Sequence, residues 1–308
     1  ARPLPIDYHS LLQREDIREA LFSVKGKIKA ARENIDLQRK VARRLWEIGL
    51  AEAPNLILFN LKATVVTLVA RRLKVPALPT CLQPVTAPTA EFAIPLFGIP
   101  SFGATFNRLS YSGLRWLMRA GLKPILKPLR AEAADVYGSP GELIDGHAPS
   151  GGLPLSLQSF SRALVPTPSD WPEHVWQCGY WFTEPDPAYE PQASLARFLE
   201  GGPPPIYIGF GSMPSRDPEA LTQLTFEALR HVPSRAILST GWGGLDAASL
   251  PAYLTDRVYV LGKAPHSWLF PRCAAVVHHG GAGTTHEALR WGLPNLVCPV
   301  FGDQPFWG

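Results

Sequence analysis

The pattern of this chain predicts two α/β halves, each a parallel sheet flanked by helices. Three observations carry that expectation. Short apolar runs of strand length alternate with helical patterns from Asn55 to Val300. Glycine-rich turns follow such runs at residues 209–212, 241–244 and 278–283. The length of 308 residues suits two ordinary domains, and a proline-bearing stretch lies between the halves.

Composition narrows the class. Hydrophobic residues make up 46% of the chain and charged residues 18%, which is the balance of a globular protein with a core in each half. The net charge of +4 is mild. No basic cluster is interleaved with aromatics, so nucleic acid is not an expected partner. Cys81, Cys178, Cys273 and Cys298 are scattered, without a short-spaced pair. That spacing argues against a metal site or a disulfide framework and suits reduced thiols in the cytoplasm.

In the first half, residues 14–21 and 24–50 carry apolar residues at helical spacing among many Lys, Arg and Glu, and read as surface helices. Residues 55–60 read as a short buried strand, and 63–73 as the helix after it, with Arg71, Arg72 and Lys74 at its C-terminus. Residues 75–80 lead into another strand. Prolines 84, 88, 95 and 100 make the next stretch an apolar loop. From Phe92 to Ala131 there is no acidic residue, while Arg108, Arg115, Arg119, Lys123, Lys127 and Arg130 stand among Leu114, Trp116, Leu117 and Met118. Two readings stay open here: an ordinary amphipathic helix, or a basic, Trp-bearing face that contacts a membrane surface peripherally. Residues 138–154, rich in Gly and Pro, read as a loop. The first domain is expected to span 1–165, with a linker at 166–191 and the second domain at 192–308.

In the second half, residues 195–200 read as a helix, 206–208 as a strand and Gly209-Phe210-Gly211-Ser212 as the loop after it. A helix is expected at 218–231, and strands at 235–239 and 258–261. The chain closes with AVVHHGGAGTTHEALRWGLPNLVCPVFGDQPFWG. Ala275 to Val277 read as a buried strand, His278 to Gly283 as a Gly-rich turn, and Thr284 and Thr285 as caps of the next helix. Gly292 and Pro294 end that helix; Leu296 to Val300 form the next strand, and residues 301–304 the loop beyond it. Free N–H groups at the helix start make a site for a diphosphate. His279, Thr284 and Thr285 can add hydrogen bonds to phosphate oxygens. Glu287 can accept from a ribose diol, and Asp303 and Gln304 have the groups that sugar hydroxyls need.

HHGGAGTTHEAL followed by GLPNLVCPVFGDQPFWG closely resembles the nucleotide-sugar signature of glycosyltransferase family 1. FGDQPFWG, PHSWLF upstream of it, and DWPEH with GYWF are most similar to the sterol 3-β-glucosyltransferase branch and its bacterial relatives. The resemblance implies the GT-B fold: two Rossmann-like domains facing across a cleft. It also implies that the chain is an internal piece, with the first strand, its Gly-rich loop and the last helices lying outside it. The activity implied is inverting, metal-independent and cofactor-free transfer of a hexose, glucose by preference, from a UDP-sugar to a hydroxyl of a sterol or similar apolar acceptor. By the same resemblance Gly211, Ser212, His279, Gly281, Gly283 and Thr284 face the donor diphosphate. Glu287, Ala264 and His266 face ribose and uracil, and Asp303 and Gln304 face the sugar. Plant small-molecule members carry Trp where Lys263 stands and Gln where His266 stands, so main-chain contacts from 263–266 are expected to hold the base. Trp268 and Phe270 read as core. The catalytic base is expected in the missing N-terminal segment; His9, His147 and His174 read as structural. Three alternatives stay open: transfer to a polyketide, macrolide or other lipophilic metabolite; a nucleotide-sugar epimerase; and a binding module without turnover.

Overall fold

The computed structural model describes residues 2–7, 33–96, 98–211, 217–241 and 245–308, which fall into two α/β units dividing at Tyr180 and Trp181. His9, Ser212 and the helical expectation for residues 14–21 lie outside the described residues.

The first unit is built on a four-stranded parallel sheet in the order β1 (Ile57–Phe59), β2 (Ala77–Cys81), β3 (Ser156–Gln158), β4 (Val175–Gln177). Its helices are α1 (Ile35–Glu52), α2 (Val66–Leu73), α3 (Ala104–Leu126) and α4 (Pro140–Asp145). A 3₁₀ turn over Leu61–Ala63 precedes α2. Leu68 and Val69 of α2, Leu126 of α3 and Leu143 of α4 are fully buried together, with Trp46 of α1 against them. Burying a side chain of this size contributes roughly 1.5–3 kcal/mol. Residues 33–34 apart, α1 begins within the stretch whose helical spacing predicted it and ends at Ala53 in the left-handed conformation (φ 43°).

Four expectations change in this unit. The strand expected to be buried at 55–60 is, among the described residues, the edge strand β1, and Leu58 is 51% exposed. The loop expected at 138–154 contains α4. Ser139 accepts from Glu142 N–H and in turn donates to its carboxylate, an N-cap that, with Pro140 at the first helical position, starts a helix despite the local Gly and Pro. Part of the expected linker is β4, which pairs with β3. Buried Gln177 at its end accepts from Thr167 Oγ1 and donates to Val165 O, tying residues 165–177 into the unit. Finally, two cations of the basic stretch are engaged. Arg108 pairs with Asp170, and both terminal nitrogens of Arg115 bond Asp145. Among the described residues no helix is long and apolar enough to cross a membrane.

The second unit has a five-stranded parallel sheet in the order β7-β6-β5-β8-β9. Its strands are β5 (Ile206–Gly209), β6 (Ala236–Ser239), β7 (Val258–Leu261), β8 (Ala275–His278) and β9 (Asn295–Val297). Its helices are α5 (Ala193–Glu200), α6 (Pro218–His231), α7 (His266–Leu269), α8 (Ala282–Arg290) and α9 (Gln304–Trp307). Successive strand residues point to opposite faces. Tyr207, Ile237 and Val276 enter one core with Leu269 and Phe270, while Ile208, Leu238 and Val258 enter another with Phe226 and Leu254. Both faces are covered, as the continuous apolar runs predicted. Phe270 is fully buried and Trp268 packs on the first of these cores under Arg272, in line with the expectation for both.

Candidate functional site

The second sheet reverses direction at β5. The chain adds β6 and β7 on one side, then returns to lay β8 and β9 on the other. In open parallel sheets, ligands bind outside the carboxyl ends at such a reversal. Those ends are Phe210 and Gly211 after β5, and His279 to Gly281 after β8.

His278, the last residue of β8, is fully buried and shapes the turn. Its Nδ1 accepts from Gly280 N–H at 3.0 Å, so its proton sits on Nε2, which donates to Asn295 Oδ1 at 2.9 Å. Asn295 Nδ2 donates to Leu293 O at 2.8 Å. Burial holds the His278 pKa below the ordinary histidine value, with the Asn295 bond opposing. One imidazole thereby joins the end of β8, the start of β9 and the backbone of the turn. Gly280 has φ +86°, and a Cβ there would lie 2.6 Å from Val297 Cγ1, so no other residue fits.

His279 follows, its ring lying between two glycines. A Cβ on Gly281 would meet Nε2 at 2.5 Å, and one on Gly211 would meet Cε1 at 3.0 Å. Nδ1 is buried and has no hydrogen-bond partner among the described residues. Burial first, then His278, push the pKa down to about 4; Asp303 works against them and His266 with them. The ring is neutral at pH 7 and offers one N–H. A buried nitrogen without a partner costs free energy until a ligand or water meets it.

Helix α8 starts at Ala282, with Gly281 as N-cap and no side chain capping it. Gly283 is exposed, and a Cβ there would meet nothing within 4 Å. Open N–H groups and the positive end of the helix dipole favour an anion at this point. Gly211, His279, Gly281, Gly283 and Thr284 therefore converge on one anion-seeking corner.

The other expected residues divide. Asp303 Oδ2 accepts from Trp307 Nε1 at 2.7 Å, and its charge acts on His279. Glu287 lies buried in the second turn of α8, its Oε1 accepting from Trp291 Nε1 at 2.9 Å. Ala264 packs on the core beneath α7. Three side chains are committed elsewhere. The helix begins two residues before Thr284, and Thr285 is buried with Oγ1 donating back to Gly281 O at 3.0 Å, as hydroxyls inside helices do. Gln304 is buried, and its Oε1 accepts from Val300 N–H at 2.6 Å and Phe301 N–H at 3.0 Å, closing the loop instead of facing a sugar. The His266 ring stacks on Phe270 at 4.4 Å, with Nε2 3.3 Å from Tyr207 Oη, which leaves the main chain of 263–266 for a base. Burial and His278 push its pKa down to about 4.

The structural role of His278 escaped the sequence reading; its one signal was a polar residue ending an apolar strand. Arg290 also escaped it. Its guanidinium donates to Thr183 O at 3.3 Å and stacks over Phe182 at 4.6 Å, pinning the start of the second unit to α8.

Comparison with known proteins finds glycosyltransferases. Residues 244–308 match the family described as erythromycin biosynthesis protein CIII-like, C-terminal domain. A sterol 3-beta-glucosyltransferase of Arabidopsis thaliana is 40% identical over 260 residues, covering 84% of this chain and 40% of the relative. A second from the same plant is 39% identical over 225 residues, covering 72% of this chain and 35% of the relative. A third, from Leptosphaeria maculans, is 40% identical over 159 residues, covering 49% of this chain and 11% of the relative. The chain thus spans about two fifths or less of the curated relatives it matches. Among solved structures, the kitacinnamycin glycotransferase aligns at TM-score 0.56 and 17% identity, over 100% of this chain and 68% of its own. The glycosyltransferase SnogD of Streptomyces nogalater aligns at 0.54 and 20%, over 97% and 69%. The glycosyltransferase VinC, in complex with dTDP, aligns at 0.51 and 16%, over 97% and 69%.

Two predictions arise from the site. Gly281→Ala drives a methyl into the His279 ring, so UDP affinity should fall about tenfold or more while the thermal melt shifts little; unchanged affinity by calorimetry would contradict the cradle. Second, His266, His279 and His286 all have pKa values pushed down to about 4 by burial. The unfolded chain, with histidine near its ordinary value of 6.5, takes up protons first. Stability is then full above pH 6.5 and lost as pH falls toward 4. The melting temperature should already drop between pH 6.5 and 5, before carboxylates titrate; a flat profile there would refute the assignment.

Proposed function

We infer that this chain, a GT-B-fold homologue of the sterol 3-beta-glucosyltransferases, is the core of an inverting enzyme that moves glucose from UDP-glucose to the hydroxyl of a sterol or similar apolar acceptor. The observation that carries this reading is the neutral His279 ring held between Gly211 and Gly281 beside the uncapped start of α8.

The acceptor oxygen bonds to the anomeric carbon as the bond from that carbon to the diphosphate oxygen breaks. The acceptor proton passes to a general base. Negative charge grows on the departing diphosphate. Open N–H groups at residues 282–284 and the N–H of His279 meet it, so the proposed reaction needs no metal. Donors aimed at developing charge of this kind are each worth about 10²–10³ in rate. Glu287 accepts from the ribose, and Asp303 from the glucose hydroxyls. Its second oxygen remains for that purpose while Oδ2 holds Trp307.

The match of residues 244–308 to the erythromycin-type family favours a second reading of the acceptor, a polyketide or macrolide hydroxyl. The face of α3 supports contact with a cytoplasmic membrane surface, from which an apolar acceptor would come. Trp116 is 67% exposed, with Leu109 and Leu117 also exposed beside Arg119 and Lys123. Arg115 is excluded from that role by its pairing with Asp145.

His279→Ala should weaken UDP and UDP-glucose alike by about tenfold, the loss of one hydrogen bond to a charged group. Asp303→Asn should weaken UDP-glucose far more than UDP. Equal losses for both ligands in Asp303→Asn would remove its sugar role, and unchanged binding in His279→Ala would sink the reading of the site. Trp116→Ala with Arg119 and Lys123 changed to Glu should abolish co-sedimentation with anionic vesicles; retained sedimentation would dismiss the membrane contact.

A further inference from the structure

A cavity of about 260 Å³ lies in the first unit, away from the carboxyl ends of its strands. It opens where β3 and β4 begin. Ser156 and Val175, their first residues, line it with Pro154 and His174 just before them. Parallel sheets hold their usual ligands at the opposite ends of the strands. A second pocket of about 50 Å³ shares the Thr86, Pro88, Arg115 and Ile144 walls and reaches Leu114, Met118 and Tyr111 of α3. The larger one comes near the lower bound of small-molecule pockets, about 300 Å³.

Most of the lining is apolar, but its polar groups are arranged with unused capacity. Gln158 is 0% exposed at the end of β3. Its Nε2 donates to Thr86 Oγ1 at 3.0 Å and to Ser156 Oγ at 2.9 Å. Both hydroxyls therefore already accept. Thr86 Oγ1 also lies 3.4 Å from Ser156 Oγ and 3.3 Å from Cys81 Sγ, so the Thr86 proton has partners inside the protein and the Ser156 proton is the one left for a ligand oxygen. Gln158 Oε1 has no hydrogen-bond partner among the described residues, and neither has the hydroxyl of Tyr111, a residue only 3% exposed. Buried polar atoms left this way are costly unless something meets them. The guanidinium in the wall is spent: both Arg115 terminal nitrogens bond Asp145 oxygens, so its charge is matched and does not call for an anion.

We propose that this cavity binds a small neutral apolar molecule carrying a hydrogen-bond-accepting oxygen, such as a ketone or ester, at a site separate from the nucleotide-sugar corner. Ser156 donates to that oxygen, with Thr86 and Gln158 holding its hydroxyl in place. The Tyr111 hydroxyl supplies a further polar contact from the neighbouring pocket, and the apolar body rests on Ile144, Pro154 and Leu153. The site does not depend on the transfer reaction.

The test is a fluorescence titration of the whole chain with 6-propionyl-2-(dimethylamino)naphthalene, a neutral ketone whose emission shifts blue on leaving water, run beside an anionic anilinonaphthalene sulfonate. Saturable, blue-shifted binding of the ketone is expected, with the sulfonate unable to displace it. Leu153 is 57% exposed at the rim, so Leu153→Trp should fold and block the mouth, lowering affinity about tenfold or more. Ser156→Ala should cost about fivefold, the loss of one neutral hydrogen bond. UDP affinity measured on the same variants should stay unchanged, which shows them folded and the two sites distinct. Absence of saturable binding, binding indifferent to both substitutions, or displacement by the sulfonate would each overturn the proposal.

Discussion

The donor unit depends on one buried neutral imidazole. His278 ends β8 with both ring nitrogens used, one on the Gly280 N–H and one on Asn295 at the start of β9. Those bonds hold two neighbouring strands and the turn between β8 and α8 in a single geometry. His279 and the uncapped start of α8 hang from that turn. Because both bonds lie inside the protein, losing the ring would leave a buried N–H and a buried carbonyl unmet, which costs more than the bonds themselves contribute. The neutral form is required, since Nδ1 must accept; burial, which disfavours the charged ring, and the hydrogen-bond pattern reinforce each other.

The next residue uses the same physics for the opposite purpose. His279 is also kept neutral by burial, but its Nδ1 is unmet among the described residues, and the glycines on either side leave room for the ring and little else. Beside it, α8 starts without a side-chain cap. A protein optimised only for stability would fill both vacancies with a serine or aspartate cap and a partner for the ring. Leaving them open on adjacent residues concentrates unspent donor capacity at the strand-order reversal, where the fold already places a ligand. On the proposed function, an incoming diphosphate would bring the charge that the site itself does not carry. The arrangement in the first unit follows the same logic with neutral chemistry: a buried amide and the Thr86 hydroxyl hold the Ser156 hydroxyl in place, and the Arg115 charge in the cavity wall is matched by Asp145.

Much of this was legible in the sequence, and the misses share a cause. The strands β5 to β8 and helix α6 fall where periodicity and breakers put them, since local hydrophobic pattern and caps decide them. Helix α4 was hidden because Gly and Pro were weighed above the Ser139–Glu142 capping pair. Strand β4 was hidden because three residues between prolines give no periodicity, and only pairing with β3 makes them a strand. Gln304 and Thr285 sit inside the signature with suitable chemistry, yet their hydrogen bonds go to loop and helix backbone a few residues away. Arg108 and Arg115 looked like free surface cations because their carboxylate partners, Asp170 and Asp145, lie 62 and 30 residues along the chain.

By itself, then, the sequence determined the α/β architecture and the Gly-rich turn and helix start that close β8. Both rest on short-range order: alternating strand and helix, and a contiguous turn whose glycines, histidine and helix start build an anion site within a few residues. What only the tertiary structure decided is which polar groups are spent inside the protein and which are left to act. It is the packing that turns His266 into the core, closes the Gln304 loop, pairs Arg115 with Asp145 and assembles a cavity from β3, β4, α3 and α4. The reason is physical: a hydrogen bond depends on distances of about 3 Å between groups far apart in the chain, and no local pattern encodes them.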